Sequence, residues 1–91
     1  MNYEALGRYT EAKEKAEKLA ISLHNEMAGI SRLVSPSGTS KLGQAKAYDF
    51  EAIKRQVASA ELIYGEMMAT IAAANHEAPL CEREVLTVAK W

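Results

Sequence analysis

The 91-residue chain has only one cysteine, Cys81, so no disulfide bond can form within it. A lone thiol is typical of proteins from reducing compartments, and we expect a cytoplasmic location. The first residues, Met1 to Glu4, lack a basic segment followed by an apolar run. The sequence therefore predicts no secretory signal.

Long apolar runs are missing as well. The longest nearly apolar stretch, residues 62–74, has about 13 residues and includes Glu66 and Thr70, whereas a helix that spans a bilayer needs about 20 residues. We therefore expect a soluble protein without a membrane partner.

The chain has no excess of charge of one sign. It contains 11 Lys and Arg residues and 12 Asp and Glu residues, which gives a net charge of −1. In the first third of the chain the bases follow glutamates at a spacing of four, as in Glu4/Arg8 and Glu11/Lys15, a pattern typical of a solvated helix face. This balance argues against a general binder of polyanions.

Motifs for catalysis and metal binding are scarce. A metal site on one helix face requires a second His or Cys three or four residues from the first, and His24 has no such neighbour. His76 and Cys81 lie five residues apart across Pro79, which is not a zinc spacing. No Glu-x-x-His pair signals a carboxylate-bridged metal site in a helical bundle. We predict that the protein is not an enzyme and has no catalytic residues, metal or cofactor.

The chain is rich in apolar residues with helical periodicity. Between residues 50 and 78, steps of three and four connect an unbroken apolar series: Phe50, Ile53, Val57, Ala60, Tyr64, Met67, Ile71, Ala74 and Ala78. Residues 3–34 carry a similar, wider stripe. Such coiled-coil-like spacing predicts two long helices, at about 3–34 and 46–76.

Turn-forming residues separate these helices. A Ser/Gly/Pro loop at 35–46 predicts a reversal of the chain, because Pro36 disfavours helical geometry at Ser35. Pro79 is well placed to open a third, short helix at about 79–90. We therefore predict a single all-α domain over residues 1–91, an antiparallel hairpin of two long helices with a short C-terminal helix.

The second helix has more apolar surface than one antiparallel neighbour can cover. Uncovered apolar surface usually marks an interface, and tryptophan is favoured at the centre of such interfaces. The candidate protein-interface residues are Leu62, Met67, Met68 and Trp91. We predict that two hairpins pair into a four-helix-bundle-like homodimer. The alternative is a monomeric three-helix bundle in which the short helix, with Trp91 packed inward, covers this surface.

These features predict a small non-catalytic helical protein that self-associates and binds a further protein as a regulator, adaptor or inhibitor. The alternative is weak nucleic-acid binding by a basic patch at the hairpin tip, with affinity that falls steeply with salt. The candidate contacts for an anionic partner of either kind are Arg32, Lys41, Lys46 and Arg55.

Overall fold

The computed structural model describes residues 2–35 and 47–89. Helix α1 spans Tyr3–Val34 and helix α2 spans Phe50–Glu77, and a short 3-10 turn, Ala78–Cys81, follows. The two long helices pack against each other in antiparallel orientation. The predicted all-α hairpin is confirmed, and the described ranges contain no strand.

Side-chain caps determine where both long helices begin. The Asn2 side chain accepts a hydrogen bond of 3.0 Å from the backbone N–H three residues further on, and Asp49 does the same at the start of α2. Each cap satisfies an N–H group that has no partner within its helix. Because Asp49 forms this cap, α2 begins at Phe50 and not near residue 46 as predicted. The rest of the predicted loop, residues 36–46, lies outside the described residues.

One end of the hairpin, where α1 begins and α2 ends, we call the base; the opposite end is the tip. A buried cluster at the base consists of Ala5, Tyr9, Ala74, Ala78 and Cys81. Its small side chains let the two helices and the 3-10 turn approach closely, as dense protein packing requires.

An ion pair ties the two helices together at the base. The Arg8 guanidinium donates two hydrogen bonds to the Glu77 carboxylate, with Nε to Oε1 at 2.8 Å and Nη2 to Oε2 at 3.2 Å. Hydrogen bonding from Arg8 holds the pKa of Glu77 below its ordinary value, and hydrogen bonding to Glu77 raises the pKa of Arg8.

This ion pair predicts a dependence of stability on pH. Because the pKa of Glu77 is lower in the folded state than in the unfolded state, the pair stabilises the hairpin above the unfolded pKa, and its contribution is lost as pH falls through the folded pKa. We expect Glu77→Gln to flatten the acid limb of the stability curve, measured by thermal unfolding from about pH 7 to about pH 2. The control is Glu4→Gln, because the Glu4 carboxylate is exposed and makes only a long contact, at 3.9 Å, with the Arg8 guanidinium. Identical acid limbs for Glu77→Gln and the parent chain would contradict this prediction.

The C-terminal part is helical over a shorter range than the predicted helix at about 79–90. The 3-10 turn ends at Glu82, whose φ of 57° is left-handed, and the Arg83 N–H donates to the Ala78 carbonyl at 2.9 Å. Residues 83–89, which we call the C-terminal strap, are non-helical. Three turns of helix are marginal alone, and the strap is rich in β-branched residues, which have low helix propensity.

Two side chains hold the C-terminal strap on the helices. Asn75 makes a pair of hydrogen bonds with the backbone of Leu86, donating from Nδ2 to the carbonyl at 2.9 Å and accepting from the N–H at 2.6 Å. The Tyr9 hydroxyl donates to the carbonyl of Glu84 at 3.0 Å. Leu86 packs against the base cluster, so the strap closes the base half of one face of the hairpin.

Candidate protein-interaction surface

An apolar groove lies between α1 and α2 in the tip half of the hairpin. Its volume is about 630 Å³, and among the described residues that line it only Glu61 is charged. We call it the tip groove; the lining residues are Leu23, Met27, Ile30, Val57, Ala60, Glu61 and Tyr64.

Large apolar side chains along the tip groove are exposed. Met27 of α1 is 51% exposed, and Tyr64 of α2 is 47% exposed. Phe50, Val57 and Met68 extend the exposed stripe along α2, because residues seven and four apart share one side of a helix. A contiguous apolar stripe of this kind on a small chain is a candidate interaction surface.

The C-terminal strap and the tip groove lie on the same face of the hairpin. Ile71 follows Tyr64 by seven residues and lines a small hollow with Leu86 of the strap, and Ala16, seven residues before Leu23, lines the same hollow. Residues seven apart stay on one side of a packed helix. The strap therefore covers the base half of this face, and the tip half is open.

The structure separates the four residues predicted for a protein interface. Met67 is 7% exposed and belongs to the interior of the hairpin. Leu62 is exposed, but it precedes Met68 by six residues, and at 100° per residue the two side chains lie about 120° apart around α2. Met68 alone lies beside the tip groove, and Trp91 lies outside the described residues. The sequence placed Val57 and Tyr64 in the same regular apolar series as Met67, and this spacing alone does not show which members of the series are uncovered.

The two described arginines of the predicted basic patch share a second cleft at the tip. Arg32 and Arg55 line this cleft of about 540 Å³, which lies on the other side of the hairpin from the tip groove. Gln56 donates a hydrogen bond to the Glu26 carboxylate there. Gly29 leaves room for this contact, since a Cβ at that position would lie 3.1 Å from the Gln56 nitrogen. The cleft thus contains both signs of charge. Lys41 and Lys46 lie outside the described residues.

The chemically reactive side chains are placed apart from these surfaces. Cys81 is fully buried, and its thiol contacts the carbonyl of Glu77 at 3.4 Å, whereas His76 is exposed. Among residues 2–35 and 47–89, no three His, Cys, Asp or Glu side chains lie close enough together to hold a metal ion. In the same ranges, neither helix is both long and apolar enough to cross a bilayer.

Comparisons of the chain with protein-family models, with curated proteins and with solved structures gave no match. The surface with the clearest chemical character is the tip groove, which is apolar, open and continuous with an exposed stripe on α2.

Proposed function

We propose that this chain is a non-catalytic protein-binding module that self-associates through the tip groove into a homodimer. The observation that carries the proposal is the exposed apolar stripe of Phe50, Val57, Tyr64 and Met68 beside an apolar groove. In this proposal the dimer then binds a further protein through its outer surfaces and acts as a regulator, adaptor or inhibitor.

The dimensions of this face match those of a stable interface. A 28-residue helix is about 42 Å long, and two packed helices are about 20 Å wide. The whole face, including the strap that covers its base half, therefore offers roughly 800 Å² per copy, which is the usual contribution of each partner to a stable complex, and the open tip half supplies about half of this area. Burying a side chain as large as methionine or tyrosine stabilises such a complex by up to about 1.5–3 kcal/mol.

A second copy is the occupant that the architecture favours. Two antiparallel hairpins that bury one face each produce a four-helix arrangement, a common way to complete the core of paired helices. A two-fold axis uses the same patch on both copies, so every exposed residue of the stripe contributes twice. Leu62 and the cleft of Arg32 and Arg55 stay accessible on the outside for another partner.

The proposal is tested by placing charge in the stripe. We expect the double variant Tyr64→Glu/Met68→Glu to weaken dimerisation by at least about tenfold in sedimentation equilibrium, because an interface would bury carboxylates without partners. Both side chains are partly exposed in the single chain, so the helices still form, which circular dichroism verifies.

The matched control is Leu62→Glu, the same chemical change at a site that is 72% exposed on another side of α2. This control is expected to associate like the parent chain. A double variant that associates as tightly as the parent, or a Leu62→Glu chain that dissociates, would refute the assignment of the stripe.

Nucleic-acid binding gains no comparable support. Arg32 and Arg55 do share a cleft, but Glu26 lines it as well, and phosphate recognition depends on net positive potential. This alternative stays a prediction from sequence.

A further inference from the structure

We propose that the tip groove of one copy receives the C-terminal strap of a second copy, so that the two hairpins lie antiparallel. This inference rests on the proposed self-association and names the segment that fills its binding surface.

The face has complementary halves. The base half carries the strap, which rises above the two helices, and the tip half is an open groove. An antiparallel two-fold pair places each strap over the groove of the other copy. A parallel pair would place strap against strap and leave both grooves unfilled.

The strap has the side chains to fill an apolar groove. Val85 is 58% exposed and Val88 is 40% exposed, although Leu86 between them packs on the helices. In an extended chain successive side chains alternate sides, so Val85 projects away from the hairpin, whereas Val88 lies on the side of Leu86 and is exposed at the edge of the strap. Their burial in a second copy would remove apolar surface from water on both sides.

The spacing of these valines matches the groove. Three residues of extended chain separate Val85 from Val88, a distance of about 10 Å. Val57 and Tyr64 are seven helical residues apart, which is about 10.5 Å. The strap can thus set Val85 in the groove opposite Val57, while the exposed edge of Val88 lies level with Tyr64.

The same register places the two-fold axis near the middle of the hairpin. Leu86 lies level with Ile71 on α2, and Ala60 lies near the centre of the tip groove. The axis falls midway between these two positions, close to Gly65, and the midpoint of α2 lies only about two residues away. The two hairpins would therefore overlap along nearly their whole length.

Charge favours the antiparallel pair as well. The base half, residues 2–18 and 66–89, has eight acidic and five basic residues, and the described part of the tip half, residues 19–35 and 47–65, has four acidic and three basic residues. An antiparallel pair sets a net charge of −3 against −1, whereas a parallel pair sets −3 against −3 at the base. The antiparallel pair therefore has the weaker repulsion, and electrostatic repulsion of this kind disfavours the parallel orientation.

Disulfide cross-linking between two variant chains tests the arrangement. We expect a mixture of Val85→Cys chains and Val57→Cys chains to form a mixed disulfide on oxidation. The yield of this disulfide should be about tenfold higher than in a control mixture of Val85→Cys and Leu62→Cys chains, because only the first pair of cysteines lies close enough for a disulfide bond. Oxidised alone, Val85→Cys and Val57→Cys chains should stay unlinked, since the antiparallel pair sets equivalent residues about 25 Å apart. The native Cys81 is fully buried. Oxidation of the parent chain is the control for any disulfide that Cys81 forms.

The outcomes separate this inference from the proposed function. Disulfides between identical variants, or no disulfide in a mixture that sediments as two chains, would overturn the strap-in-groove arrangement while leaving self-association intact. If the Val57→Cys chain instead sediments as one chain and its thiol is protected from alkylation, a segment of the same chain, such as Trp91, fills the groove. That result would overturn both the strap-in-groove arrangement and the proposed self-association.

Discussion

Met67→Ala should lower the free energy of unfolding by about 3 kcal/mol, whereas Met68→Ala should lower it by less than about 0.5 kcal/mol at low chain concentration. The two methionines are adjacent in sequence but differ in environment. Met67 is 7% exposed between the helices, and Met68 is 37% exposed beside the tip groove. Truncation at Met67 removes buried contacts and leaves a cavity, and truncation at Met68 removes only partly solvated surface.

Urea unfolding followed by circular dichroism at several chain concentrations measures both effects. The loss caused by Met67→Ala should be independent of concentration, because Met67 lies within one chain. The loss caused by Met68→Ala should grow with concentration, because association stabilises the folded state by mass action. Equal losses for the two variants at low concentration would show that our assignment of the hairpin interior is wrong.

Asn75→Ala should detach the C-terminal strap and lower the free energy of unfolding by about 2 kcal/mol. Asn75 is the partner of both the N–H and the carbonyl of Leu86, at 2.6 and 2.9 Å. Its loss leaves these two backbone groups without their protein partner and removes the main polar anchor of the strap. The hydroxyl of Tyr9 and the packing of Leu86 then hold the strap alone.

Amide hydrogen exchange at Leu86 reports directly on the strap. In the parent chain this amide should be protected, and in Asn75→Ala it should exchange much faster, since local opening then costs little. His76→Ala is the control, because His76 is the next residue and is exposed. An unchanged exchange rate at Leu86 in the Asn75 variant would show that the strap does not depend on this side chain.

The sequence alone predicted the two long helices because their apolar spacing is regular over many turns. The start of α2 was placed too early, although Asp49 directly before Phe50 is a recognisable N-cap signal. The C-terminal helix was predicted from Pro79, a local signal. Instead, a left-handed Glu82 and the hydrogen bonds from Asn75 hold residues 83–89 as a strap. These contacts are tertiary, and local pattern does not contain them.

The candidate surface was harder to predict than the fold. Periodicity showed that α2 has more apolar residues than one neighbour can cover, but not which of them face outward. Met67 belongs to the same regular apolar series as Tyr64 and Val57, so its spacing does not identify it as the buried one, and Met68 and Leu62 look like part of the same surface. Only the packing of α1 against α2, and the path of the strap over one face, distinguish the buried methionine from the exposed one and leave Tyr64 and Val57 at the edge of an open groove.

Sedimentation equilibrium of the unmodified chain across a hundredfold range of concentration tests self-association through the tip groove most directly. We expect a mass of two chains at micromolar concentration, falling toward the mass of one chain on dilution. A mass of one chain across the whole range would contradict the homodimer, and with it the assignment of the tip groove to a second copy.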